Sequence, residues 1–332
     1  MKVFLAIWLA AVPLLIQAQA TKLPVQKVSC EGITDPLSPK NDWTVRLKNS
    51  PLPSPSSAIE EIKEAPVPEI PTNKTHVVSP PTYITGFSAN TNNIGNPNDN
   101  DLAISKDGII VSVVNINIAA FDTTGEFLLD ISLNGLFSGV GTGNKFDPRV
   151  LYDPNRDRFI ITCLDGLVPS TSTIRIAFSS TNDPRDPWFT YGLEGNVPVT
   201  GVPVWSDYPQ IGLTKDELLL TTNLFDEEPE AQGAVVYQIE LDSAFAGKEL
   251  TVQPHYLRGT FSLCPVLGAT EPLGPPYYFV DNVGRGADNK IVLHQLTNTI
   301  RNGGAFSTPA TLTSQLNYSL SPPAVQAGSP LR

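Results

Sequence analysis

This 332-residue sequence predicts an all-β chain built from a repeated four-strand unit, and three observations carry that reading. A block of short apolar strands and polar turns occurs four times in the same order. The chain holds 31 prolines and 24 glycines, which supply many turns. No long stretch keeps the 3.6-residue apolar period of a helix. Four strands per unit, recurring at intervals of about 46 to 60 residues, is the signature of β-propeller blades. A sandwich is the competing fold, but its strands would not return as matched groups of four.

The first element is residues 1–20, MKVFLAIWLAAVPLLIQAQA. Lys2 precedes an apolar run, and Ala18-Gln19-Ala20 closes it, the pattern of a secretory signal peptide. The run is short for a membrane span, which needs about 20 residues. Export to the extracellular space without membrane insertion is therefore expected. Residues 21–82 come next, rich in Pro, Ser and Glu and without apolar periodicity. Such a segment buries too little surface to offset chain entropy, so it reads as a disordered linker.

From residue 83 onward the texture changes to propeller. The first unit is DLAISKDGIIVSVVNINIAAFDTTGEFLLDISL, with turns at Lys106-Asp107-Gly108 and Thr124-Gly125. The second runs from DPRVLYDPNRDRFIITCL through TIRIAFS and NDPRDP to WFTYGL. The third is DYPQIGLTKDELLLTTNLFD followed by GAVVYQIELDSAFAGKELTVQPHYL. The fourth is CPVLGATEPLGPPYYFVDN followed by NKIVLHQLTNTIRNGGAF. Aligning them places Asp101, Asp147, Asp207 and Cys264 at matching positions. Asp153-Pro154-Asn155-Arg156-Asp157 then fills the turn that Lys106-Asp107-Gly108 and Thr214-Lys215-Asp216-Glu217 fill in neighbouring units. Asp, Asn and Pro suit tight turns, so this acidic cluster reads as punctuation. Asp153, Asn155 and Asp157 also have an Asp-x-Asn-x-Asp spacing that can ligate calcium. The loop lacks the later Gly and the bidentate Glu of an EF-hand, so no cofactor is expected and calcium stays as the alternative.

Four stretches, DPRVLYDPNRDRFIIT, IRIAFSSTNDPRDPWFTY, WSDYPQIGLTKDELLLTTN and PPAVQAGSPLR, resemble a family of secreted bacterial β-propeller proteins of largely uncharacterised function. The resemblance spans roughly residues 95 to 332. It implies an extracellular propeller, sometimes carried beside a sorting or adhesion module, with no agreed reaction. In that family the last of these stretches leads into further blades. Four blades is the lower limit for a closed ring, and an open ring leaves unpaired strand edges. The ring is therefore expected to be incomplete: a fragment, or a chain that closes with another.

The net charge is −11, with a pI near 4.7. Nucleic acid is thereby disfavoured as a partner, because its phosphates demand basic surface. The three cysteines, Cys30, Cys163 and Cys264, are too few for a disulfide framework and show no CxxC spacing. Cys163 and Cys264 read as small buried strand residues. His76, His255 and His294 are scattered, which leaves a zinc or nucleophile–histidine site unsupported. The first strands of propeller blades line a central channel, so Asp101, Asp147 and Asp207 become the catalytic candidates, with Asp147 and Asp207 as the acidic pair of a glycoside hydrolase. The same residues also suit strand-entry turns. Trp205, Tyr208 and Tyr277 are the ligand-binding candidates, as rings able to stack on a sugar. The stretch from Ser180 to Trp188 is loosely like an Asp-box, with Trp188 expected between blades. Taken together, the sequence favours a non-catalytic extracellular module binding a protein or glycan; the alternative is a carbohydrate-active hydrolase.

Overall fold

The computed structural model describes residues 20–38, 86–90, 99–138, 140–141, 143–199, 201–228, 230–268, 274–282 and 288–318. The leader, most of the Pro-rich stretch and the closing PPAVQAGSPLR lie outside the described residues. Three short strands come first: β1 (Ala20–Lys22), β2 (Gln26–Val28) and β3 (Gly32–Thr34). Four antiparallel sheets of consecutive strands follow. Sheet 1 holds β4 (Asp101–Ile104), β5 (Ile110–Val114), β6 (Asn117–Phe121) and β7 (Phe127–Ser132). Sheet 2 holds β8 (Lys145–Asp153), β9 (Arg158–Asp165), β10 (Thr173–Ser179) and β11 (Trp188–Glu194). Sheet 3 holds β12 (Trp205–Leu213), β13 (Glu217–Phe225), β14 (Ala231–Glu240) and β15 (Leu250–Leu257). Sheet 4 holds β16 (Cys264–Pro265), β17 (Tyr277–Asn282), β18 (Asp288–Leu296) and β19 (Ala310–Tyr318). The chain is thus all-β, and its strands group as the four sequence units do. The first strands are neighbours in order, β4 beside β8, β8 beside β12 and β12 beside β16.

The sequence sets these strands by its turns and by two-sided burial. Gly108, with φ of 82°, closes the β4–β5 turn, a backbone that side chains resist. Asp153 turns the chain into β9, its carboxylate accepting from the N–H groups of Asn155 and Arg156. FIITCL in β9 reads as a continuous apolar run because both faces are covered. Ile161 and Cys163 meet Val111, Val113 and Ile118 of sheet 1, whereas Ile160 and Leu164 meet Leu218, Leu220 and Tyr237 of sheet 3. A third core joins Leu219, Val236 and Leu257 of sheet 3 to Tyr277, Phe279 and Leu296 of sheet 4.

One expectation is corrected. Residues 21–34 do not belong to a disordered linker. Strands β1 and β2 add to the outer edge of β15, and β3 adds to the outer edge of β11. These strands are three residues long, too short for any periodicity to show, and they gain their hydrogen bonds from sheets distant in sequence. An ion network beneath β3 fastens it. Arg175 reaches Glu31 at 2.6 Å and Asp165 at 3.2 Å, and Lys145 lies 3.4 Å from Asp165. Lys145, Asp165 and Arg175 are all buried.

Sheets 3 and 4 also share a buried polar chain. Gln238 donates to Glu217 at 2.8 Å and to the Asn298 carbonyl at 3.0 Å, and its amide oxygen meets His255 Nε2 at 2.8 Å. Burial pushes the His255 pKa down to about 4, so the ring is neutral here. Cys30, Cys163 and Cys264 are free thiols. Cys163 is buried as expected, whereas Cys264 is only half-buried. Among the described residues no helix is long and apolar enough to cross a membrane.

Candidate functional site

Each sheet opens on a kinked first strand. Asp99, Asp147, Tyr208 and Ser262 all take left-handed backbone, with φ of 42°, 51°, 53° and 55°. Two residues after each kink, Asp101 pairs with Val113, Arg149 with Thr162, Gln210 with Thr221 and Cys264 with Val280. The true equivalents across the sheets are therefore Asp101, Arg149, Gln210 and Cys264. The sequence alignment of Asp101 with Asp147 and Asp207 slips by two and three residues. Bulges between Phe146 and Arg149 and between Asp207 and Gln210 absorb the slip.

An Asn side chain grips two of these kinks from the preceding sheet. Asn115, beyond β5, accepts from the Asp147 N–H at 3.2 Å, and Asn223 in β13 accepts from the Ser262 N–H at 2.7 Å. Asn282 holds the matching register position in β17. The recurring Asn at the end of VVN, TTN and VDN was a legible signal of this inter-sheet joint.

The corrected register changes the acidic site. Asp147 lies beside the carboxylates of Asp207 and Asp99, which both bear on it. Asp99 receives a hydrogen bond from Asn115 at 3.1 Å. Asp101 is not a member. Its carboxylate accepts from the Val150 N–H at 3.1 Å and from the Leu102 N–H at 2.9 Å, stapling β4 to β8. Sequence reasoning missed Asp99 because it precedes the first strand of sheet 1. Desolvation first, then the charges of Asp207 and Asp99, push the Asp147 carboxyl up to about 7. Asp147 therefore keeps its proton up to near neutral pH.

Beside it stands Tyr208, 42% exposed. The Arg149 guanidinium lies 6.0 Å from the Tyr208 ring centre, and Arg149 Nε donates to the Pro209 carbonyl at 3.1 Å. A bulky aromatic in left-handed backbone costs of order 1 kcal/mol, and such strain gathers at functional positions.

The other two aromatic candidates pack against neighbouring side chains. Tyr277 is 1% exposed, in the core between sheets 3 and 4. Trp205 packs on Phe225 with ring centres 5.5 Å apart and donates to the Asp226 carbonyl at 3.1 Å. Tyr277 is thus enclosed between sheets, whereas Trp205 stays partly open to solvent. The calcium candidates are engaged as well. Asp153 is buried and ion-paired with Arg156 at 2.8 Å. Asp157 takes hydrogen bonds from Tyr152 and Asn182 and an ion pair from Lys106 at 3.2 Å. Asn155 gives its backbone N–H to the turn. The stretch 180–188 forms the loop between the third and fourth strands of sheet 2, with Trp188 in the core shared with sheet 1.

A pH titration tests the raised Asp147 carboxyl. With a folded pKa near 7 against about 3.9 when unfolded, the folded state holds the proton more tightly, so this group lowers stability as pH rises from about 4 to 7. Asp147→Asn keeps the shape and tolerates the left-handed backbone. The variant should match wild type near pH 4 and exceed it by about 2 kcal/mol above pH 7, after allowance for solvent screening. Urea melts across that range measure it; equal stability at pH 8 would show that the carboxyl is not strained.

No family model and no curated protein matches the chain. A solved structure similar to it is the crystal structure of a protein of unknown function from Bacteroides caccae, at 10% identity, covering 64% of this chain and 77% of that one, with a TM-score of 0.26. A likeness that slight carries no argument about fold or function.

Proposed function

We propose that the four sheets are consecutive blades of a β-propeller exported from the cell. Its role is to bind an extracellular glycan or protein at the kinked ends of the first strands. The repeat of four strands in one order, the adjacency of the first strands and the Asn joints support the blade arrangement. The motifs that resemble secreted bacterial propellers, and the leader-like residues 1–20, agree with it. Tyr208 carries the binding reading. An exposed ring, held out at a backbone cost and backed by Arg149, follows Asp207 in the strand that brings this carboxylate to Asp147. That set offers a stacking face together with donors and acceptors for hydroxyl or amide groups. The hydrolase alternative needs two carboxyl groups about 5 to 9.5 Å apart across a cleft. Asp147 and Asp207 lie beside each other, which favours holding a ligand over cleaving one.

Tyr208→Gly separates site from scaffold, because glycine accepts the left-handed backbone. The variant should melt at or slightly above the wild-type temperature, by up to about 1 kcal/mol in stability. It should lose at least tenfold in affinity for whichever glycan or matrix protein the wild type retains on an array. Unchanged binding by Tyr208→Gly, or release of reducing sugar from those glycans by the wild type, would overturn the reading.

A further inference from the structure

The residue that closes the leader motif is also a packed residue of the fold. Ala18-Gln19-Ala20 places one small side chain directly before the Ala20–Thr21 bond and another two residues earlier, the pair that a signal peptidase reads. Yet Ala20 opens β1, where it pairs with Leu257, Thr21 with Tyr256 and Lys22 with His255. Paired residues of an antiparallel ladder share a face, so the Ala20 methyl group points where Leu257 points. It packs on the third core, which holds Leu257, Leu219, Val236 and Phe279. The segment is anchored just beyond the bond as well. The Leu23 N–H donates to the Pro254 carbonyl at 3.1 Å, and the buried Gln253 amide donates to the Leu23 carbonyl.

We infer that the chain is cut between Ala20 and Thr21, and that docking of β1 on β15 closes this bond to the peptidase, so that cutting must come before docking. The inference rests on the export reading above. A peptidase has to take the Ala20 side chain into its own pocket and lay the strand along its cleft. In the docked segment that side chain faces the third core, and one edge of the strand is already spent on β15. In the reaction water adds across the bond between the Ala20 carbonyl carbon and the Thr21 nitrogen. It leaves a carboxylate on Ala20 and an ammonium on Thr21, with nothing oxidised or reduced. The cut costs the fold little. Only a methyl group leaves the third core, and Gln26, Lys27 and Val28 stay paired with β15. The new ammonium falls on Thr21, an exposed residue, where water solvates it.

The full chain, folded without export, is the test substrate, and a peptide of residues 10–30 is the unfolded control. A purified signal peptidase in detergent should cut the peptide at Ala20–Thr21 at least a hundredfold faster than the folded chain, because only the briefly undocked segment can be cut. Gln253→Ala removes a donor that holds the segment and should speed cutting of the folded chain about tenfold, with circular dichroism showing that the sheets are kept. The protein collected outside bacterial cells that express the whole chain should have the mass of a chain beginning at Thr21. Equal rates for peptide and folded chain, or an exported chain beginning elsewhere, would overturn the inference and leave export standing. A chain that stays uncut inside the cell would overturn the export reading, and this inference with it.

Discussion

Asp165→Ala should remove about 3–5 kcal/mol of stability, because it strands the buried Lys145 and takes one of its two acids from the buried Arg175. Asp165 is the only acid within ion-pair reach of Lys145, and it shares Arg175 with Glu31, among the described residues. Lys145 and Arg175 sit under the Gly141–Gly143 loop, where a Cβ at Gly143 would collide with the Asp165 carboxylate. Water cannot readily replace the lost partner, so added salt should not restore the loss. Thermal melts should fall by roughly 10 °C for a chain of this size. Asp165→Asn keeps a hydrogen-bond acceptor without the charge and should fall between the two. A drop under about 1 kcal/mol for the alanine variant would mean that the cations reach solvent.

Trp188→Ala should cost a similar amount, about 3–5 kcal/mol, by a different route. The indole fills the core that sheets 1 and 2 share, and its Nε1 donates to the Pro184 carbonyl at 2.9 Å. Removing it opens a cavity between sheets and leaves that carbonyl without its partner. Trp188→Phe should cost less, since the ring refills most of the space and only the hydrogen bond goes. Urea titration followed at the remaining tryptophans separates the two. Equal losses for alanine and phenylalanine would place the energy in the hydrogen bond and not in packing.

The grouping of strands was legible because turn residues and apolar runs are local signals. Lys106-Asp107-Gly108 and Asp153-Pro154-Asn155-Arg156-Asp157 mark the turns, and FIITCL and ELLLTT are apolar enough to be strands whatever surrounds them. The register of the first strands was not legible. The bulges after Phe146 and Asp207 add residues that only pairing with the second strand can count. That slip is why Asp101 was grouped with Asp147 and Asp207 while Asp99 was passed over. Tyr208 and Tyr277 were indistinguishable as aromatics near strand starts, and neighbouring sheets alone decide that one is open and the other enclosed. Strands β1 to β3 were hidden for the same reason, their partners lying far along the chain.

That distance has a consequence in time. Ala20 pairs with Leu257, and Glu31 meets Arg175. The segment made first thus waits for strands made much later before it can take its place. Until β11 has emerged β3 has no strand to pair with, and until β15 has emerged β1 and β2 have none. Closing so wide a loop is slow compared with folding each sheet on its own turns. A chain crossing a membrane N-terminus first would therefore pass its leading segment through unfolded, and set β1 and β2 in place only after β15 has followed.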